Sequence, residues 1–181
     1  MRLAREQGRR RRDDRRASLV RDAGGAVYVE FLATFLPLLY VFLMLAQSAG
    51  MYTAKLITAH SAVMGARAAA VVIPDDPKYY DSDPGVISGK RKTAIEKAVG
   101  MTLKANSSII AYTVEVEGTD GQVKTTFDQG GGFQQATVRV RATYLCDLST
   151  VSWVVCGLGG FKVLEETATM PVHMASYTYP E

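Results

Sequence analysis

Between Glu30 and Lys55 the chain runs for 24 residues, Phe31 to Ala54, without a formal charge, and most of them are Leu, Phe, Val, Ala, Met or Tyr. About 20 such residues carry an α-helix across the hydrocarbon core of a bilayer, at roughly 1.5 Å per residue. The run is long enough to span with some tilt. Core helices of soluble proteins are usually shorter and keep a polar face, which this run lacks. It therefore predicts a transmembrane helix, with the lipid bilayer as its first partner.

The overall composition hides this. Net charge is +3 and 48% of the residues are hydrophobic, both ordinary for a soluble protein. Residues 1–25, however, hold nine arginines against four acids, a net +5, whereas the 156 residues that follow hold 12 basic and 14 acidic side chains, a net −2. Basic residues flanking a span are retained in the cytoplasm. Arg9 to Arg12, Arg15, Arg16 and Arg21 precede the run, and only Lys55 and Arg67 follow it closely. The expected topology is a single pass through a membrane, with the N-terminus cytoplasmic and the C-terminal domain outside the cytoplasm. A nucleic-acid arm is disfavoured, because the arginines have no interleaved aromatics and abut a span. A secretory signal peptide is the stronger rival, yet 24 residues exceed its usual apolar core and Ala46 to Gly50 is a weak cleavage site.

The threshold of the run reads Gly24, Gly25, Ala26, Val27, Tyr28, Val29, Glu30, Phe31. A carboxylate at the edge of the hydrocarbon costs a few kcal/mol unless shallow or paired, so Glu30 calls for a partner. Cleavage after Gly25 supplies one, since it frees the Ala26 amine and leaves Glu30 fifth and Phe31 sixth in the mature chain. This arrangement resembles the type IV prepilin signal. With Val29 to Ala33, then Leu36, Pro37, Leu38 and Leu39, and the Ala-rich stretch Ser61 to Ala70, it looks most like the TadE-like family, minor pseudopilins of the tight-adherence (Flp) pilus system. The resemblance covers about residues 21–73. It implies processing by a prepilin peptidase at the Gly25–Ala26 bond and pairing of subunits through Glu30 and Phe31. It also implies a role in pilus assembly beside other pilins and pseudopilins on an inner-membrane assembly platform, without catalysis or cofactor.

Helical character continues past the span. Small residues recur at every fourth position, Ala46, Gly50, Ala54, Thr58, Ala62, Ala66 and Ala70, and such a row lets helix backbones approach closely. It drifts around the helix, which suits several crossing neighbours; packing of the half beyond Lys55 on its own domain is an equal reading. Pro37 is expected to kink the helix, as membrane helices tolerate. A continuous helix over 26–73 is about 72 Å long. Pro74, Asp75, Asp76 and Pro77 end it.

Residues 74–181 read as a small exported domain of pilin-like outline. Ser88 is placed to cap a short helix to about Met101, with Ala94, Ile95, Ala98 and Val99 inward. Tyr112 to Val116 alternates, Asp120-Gly121 signals a hairpin, and Val123 to Phe127 runs back. Ala136 to Tyr144 alternates most clearly. A last strand, about Phe161 to Met174, contains Pro171, which suits an edge. The expected fold is α+β: a cytoplasmic leader over 1–25, a long helix over 26–73, and a domain with an antiparallel sheet of about four strands.

Cys146 and Cys156, the only cysteines, both lie in the part placed outside the cytoplasm, where disulfides persist. A disulfide is expected; the alternatives are two buried thiols or a redox pair, although the spacing does not match C-x-x-C. Val151, Trp153, Val154 and Val155 lie between them, and Leu158 and Phe161 follow, either as an apolar partner surface or as core beneath a loop. Chemistry is otherwise thin. His60 and His173 are isolated, and no Cys or His cluster has zinc spacing. Asp75, Asp76, Asp81 and Asp83 lack a calcium-loop pattern and read as a solvated connector. Gly130 to Gly132 lacks the residues of a phosphate loop. No metal or cofactor is expected. Two alternatives stand beside pilus assembly: a pilus-independent membrane-anchored binding domain that keeps its N-terminus, and a secreted enzyme, for which no site residue is found.

Overall fold

The computed structural model describes residues 23–87, 89–118, 123–124, 126–127, 133–146 and 149–173. The basic leader through Asp22, the expected cap Ser88, the Asp120-Gly121 turn and the glycines at 130–132 lie outside these. The element order is α1 (Ala23–Val72), α2 (Pro77–Tyr80), α3 (Gly89–Leu103), β1 (Ile109–Glu117), β2 (Phe133–Leu145), α4 (Ser149–Val155) and β3 (Phe161–His173). The chain is α+β. It divides into two compact units, Met1–Leu43 and Met44–Glu181.

In the first unit α1 is apolar on every side. Val27, Tyr28, Val29, Phe31, Leu32, Phe35, Leu36, Leu38, Val41 and Phe42 are all exposed, and at about 100° per residue they leave no polar stripe. Pro37 lies inside the helix. Thr34, one turn earlier, satisfies its hydroxyl within the helix by donating to the Glu30 and Phe31 carbonyls, at 3.1 and 3.0 Å. α1 is long and apolar enough to cross a membrane, and it contains an 18-residue stretch of which nothing is buried.

In the second unit the strands form an antiparallel meander in the order β1-β2-β3. β2 is central because it alternates best: Ala136, Val138, Val140, Ala142 and Tyr144 point inward and are buried. β1 pairs with it as Val116↔Val138, Val114↔Val140 and Tyr112↔Ala142. A register shift between Ile109 and Ala111 brings Ile109 opposite Tyr144 and onto the core, which strict alternation from Tyr112 does not allow. β3 is an edge strand, so Pro171 sits there without interrupting an inner ladder.

The described sheet has three strands, not about four. Val123 and Thr126 make only isolated bridges, to Glu117 and Val86. The chain does reverse after β1, with the Lys124 amide donating to the Val116 carbonyl at 3.1 Å, but Phe127 then turns away to donate to Gly85 at 2.8 Å. Phe127 is buried among core residues, so its side chain is used as filling for the core rather than as part of a ladder.

Helices cover the sheet's inner face. Ala62, Ala66 and Ala69 of α1 and Ile73 just beyond it, with Ile95, Val99 and Leu103 of α3, form one core with Val116, Val138, Val140 and Val172. The helix-to-sheet distance is short because the α1 residues are small. A Cβ added at Gly65 would lie 2.6 Å from Val99 Cγ2 and 3.0 Å from Val138 Cγ1. The outer face is polar in its middle. Arg139 lies 3.1 Å from Glu117 and 3.5 Å from Glu165, Arg141 lies 2.9 Å from Glu165, and Thr137 meets Thr169 at 3.0 Å.

Candidate functional site

The residues picked out by the sequence fall into three places. The first is the start of α1. Gly25 is exposed, with nothing within 4 Å of a Cβ built on it, and the Ala26 side chain lies outside the described residues. α1 begins at Ala23, so the Gly25–Ala26 bond lies in its first turn. Glu30 is exposed. Beside it the Phe31 ring stacks on Phe35, centroids 5.3 Å apart and planes 11° from parallel. An exposed carboxylate thus stands one residue before a stacked aromatic pair, at one end of a segment with apolar residues on all sides.

The small-residue row is the second place, and its members differ. Ala46 is exposed, Gly50 and Ala70 are half-buried, and Ala54, Thr58, Ala62 and Ala66 are buried. From Ala54 to Ala66 the row is therefore covered within the second unit, the second of the two readings offered by the sequence. Thr58 is accommodated there because its hydroxyl donates to the Ala54 carbonyl at 2.9 Å, which leaves its methyl to pack. Gln47, inside the apolar run, is also buried, and its Nε2 has no hydrogen-bond partner among the described residues.

Third is the tip of the sheet. Cys146 and Cys156 are joined in a disulfide. The ten-residue interval is not an open loop: it contains α4, and the Cys156 amide donates to the Ser152 carbonyl at 2.7 Å. The Cys146 amide donates to Gly160 at 2.9 Å. Gly157 and Gly160 have φ of 78° and 66°, which residues with a Cβ rarely adopt, so the turn between α4 and β3 needs glycine at both. Ala54, Tyr144, Cys146 and Leu164 form a second buried cluster, with Met51 and Cys156 against it.

A further group was not legible in the sequence. Arg91, within the run Lys90-Arg91-Lys92, reads as a solvated helix face, yet it is fully buried. Its Nη1 donates to the Val72 and Ile73 carbonyls, Nη2 to Asp75 and Ser82 carbonyls at 2.9 and 3.0 Å, and Nε to Ser82 Oγ at 3.1 Å. All five guanidinium N–H groups are used. The carbonyls at the end of α1 lack helical partners and carry the negative end of its dipole, which a buried cation satisfies. Tyr80 covers the guanidinium at 4.6 Å. Desolvation, then the Asp75 charge and its hydrogen bond, push the Tyr80 phenol above its ordinary value of 10.0, while Arg91 opposes them. The signal that would have located Arg91 is three-dimensional: it is the donor nearest a helix end that Pro74 leaves uncapped.

Reactive chemistry does not converge. Among the described residues no group of three His, Cys, Asp or Glu side chains is placed to hold a metal. His60 is exposed on α1. Asp81 pairs with Lys90, Asp76 caps α2 by accepting from the Lys78 amide at 2.9 Å, and Asp75 accepts from the Asp76 amide at 2.8 Å. The acidic connector is thus engaged in local turns. A recess between α3 and the outer edge of β1 is small, about 130 Å³, and lined by Ile87, Ile95, Val114, Val116 and Val123 together with charged residues. The chain matches no protein-family model, no curated protein and no solved structure.

Proposed function

We propose that the chain is a TadE-like pseudopilin: a single-pass subunit or assembly factor of a tight-adherence (Flp) type IV pilus, anchored in the inner membrane with its C-terminal domain outside the cytoplasm. It acts as a structural partner rather than an enzyme. One observation carries the reading. Glu30 is an exposed carboxylate at the entrance of an α1 segment that is apolar and uncovered on every side, five residues after Gly25. A charge held at the edge of hydrocarbon is costly unless it finds a partner, and the Ala26 amine freed by cleavage, on the same chain or on a neighbouring subunit, is that partner.

In this mechanism a prepilin peptidase draws the first turn of α1 into an extended form, cuts the Gly25–Ala26 bond and removes the basic leader. The mature chain loses the +5 that held its N-terminus in the cytoplasm and keeps the bilayer segment. Subunits, pilins and the assembly platform then associate through Glu30, Phe31 and the exposed part of the small-residue row at Ala46.

N-terminal sequencing of the membrane-extracted protein tests this directly. A mature chain beginning at Ala26 is expected. One beginning at Met1 replaces the proposal with a pilus-independent membrane-anchored binding domain, and one beginning near Met51 replaces it with a secreted protein.

A further inference from the structure

The outer face of the sheet changes character along its length. From the Arg139 and Arg141 ion pairs it passes, toward the tip, to Val163 and then to Leu145 opposite Phe161, all exposed. Beyond them Trp153 of α4 is 60% exposed and Leu158 is 100% exposed. The Phe161 ring lies over Gly159, where an added Cβ would be 2.9 Å from Cε1, so Phe161 is continuous with the Leu158 turn. The disulfide and the Gly157 and Gly160 turn fix the backbone beneath these side chains. Trp, Leu and Phe gathered outward at one end of an otherwise polar face mark a contact surface, for lipid or for protein.

The position of that end along α1 identifies what covers it. Gly65 faces Val138, and Gly50 lies against the Tyr144 hydroxyl. Fifteen helical residues rise about 22 Å and six strand residues about 20 Å, so β2 follows α1 back toward the apolar run and its tip is level with Gly50. A bilayer core takes about 20 apolar helical residues, and counted from Phe31 it also ends near Gly50. Just beside the tip a recess holds the exposed Lys55 and Lys162 together with Glu165 and Glu166, and Lys55 pairs with Glu166 at 3.7 Å. Aromatic and leucine side chains at the edge of the core, with the exposed Lys162 next to them, is the arrangement that headgroups and upper acyl chains favour.

We infer that the Cys146–Cys156 tip is a second membrane contact, in which Trp153, Leu158 and Phe161 rest in the interface of the same bilayer that α1 spans. This rests on the transmembrane reading of α1.

Trp153 is the chain's only tryptophan, so its fluorescence reports the tip alone. The full chain is incorporated into nanodiscs of phosphatidylcholine and phosphatidylglycerol, whose two faces are both open to solvent. Lipids brominated near the carbonyl region are expected to lower Trp153 emission at least about twofold, more than lipids brominated at the chain ends, with little quenching by aqueous iodide. A chain that fails to co-elute with the discs overturns the span and this inference together. Co-elution with Trp153 quenched by iodide and untouched by bromine overturns the inference alone. Shielding from both quenchers also overturns it, because protein, not lipid, then covers the tip.

Discussion

Removing the Arg91 guanidinium strands the Val72, Asp75 and Ser82 carbonyls around the buried end of α1, whereas the Ile73 carbonyl keeps the Gly85 amide. Each buried acceptor left without a donor costs about 1–3 kcal/mol, although those nearest the surface recover water. Arg91→Met is therefore expected to lower the unfolding free energy by about 3 kcal/mol, read as a reduced urea midpoint for the detergent-solubilised chain. Arg91→Lys keeps the charge but offers three donors in place of five, in no fixed plane, and should lose about 1–2 kcal/mol. Parental stability in the lysine variant would show that the planar fork is not needed. At Gly65 the decisive question is space. Alanine improves helix propensity by about 1 kcal/mol, but its Cβ meets Val99 and Val138 from two sides, and overpacking costs about 1–3 kcal/mol. A net loss of about 1 kcal/mol is expected for Gly65→Ala by the same measurement. At Gly50 the obstacle is only the Tyr144 hydroxyl, the far end of a side chain, so Gly50→Ala is expected to be close to neutral.

At the scale of elements, the disulfide closes a short loop around α4, and a cross-link of that span contributes about 2–3 kcal/mol through the unfolded chain. The double variant Cys146→Ser, Cys156→Ser should lose that amount in a urea titration, and reduction of the parental protein should lose as much; an unchanged midpoint would mean that α4 and the Gly157–Gly160 turn hold the tip unaided. Elements with a strong period were legible beforehand. The uncharged run implies α1, the alternation at Ala136 to Tyr144 implies β2, and Pro171 marks an edge strand. What escaped had physical reasons. Among the described residues the expected fourth strand reduces to two bridges, with Phe127 drawn into the core, and a five-residue segment does not reveal where its side chains are needed. α4 was hidden because Ser149 to Val155 is short and β-branched, so the disulfide and its neighbours, not propensity, hold it helical. Arg91 was hidden because charge in a sequence reads as exposure, and only the folded chain shows a helix end in need of donors.

For the whole molecule the central question is whether the threshold of α1 anchors or assembles. The two roles separate at Glu30. Insertion depends on the apolar run and the basic leader, neither of which Glu30→Ala touches, and removing a carboxylate from the hydrocarbon edge makes insertion easier by up to a few kcal/mol. Assembly in the proposed mechanism needs that carboxylate, because a free Ala26 amine without it is an unpaired cation in a low-dielectric setting, where attraction between the two charges is far stronger than in water. Glu30→Ala is therefore expected to fractionate with membranes at the parental level while surface pili fall at least about tenfold, one decade for each 1.4 kcal/mol of lost pairing. Glu30→Gln, which keeps the shape and loses the charge, should behave as the alanine variant does. Pilus output unchanged in both, with insertion intact, would leave α1 as an anchor alone and remove Glu30 from the assembly mechanism.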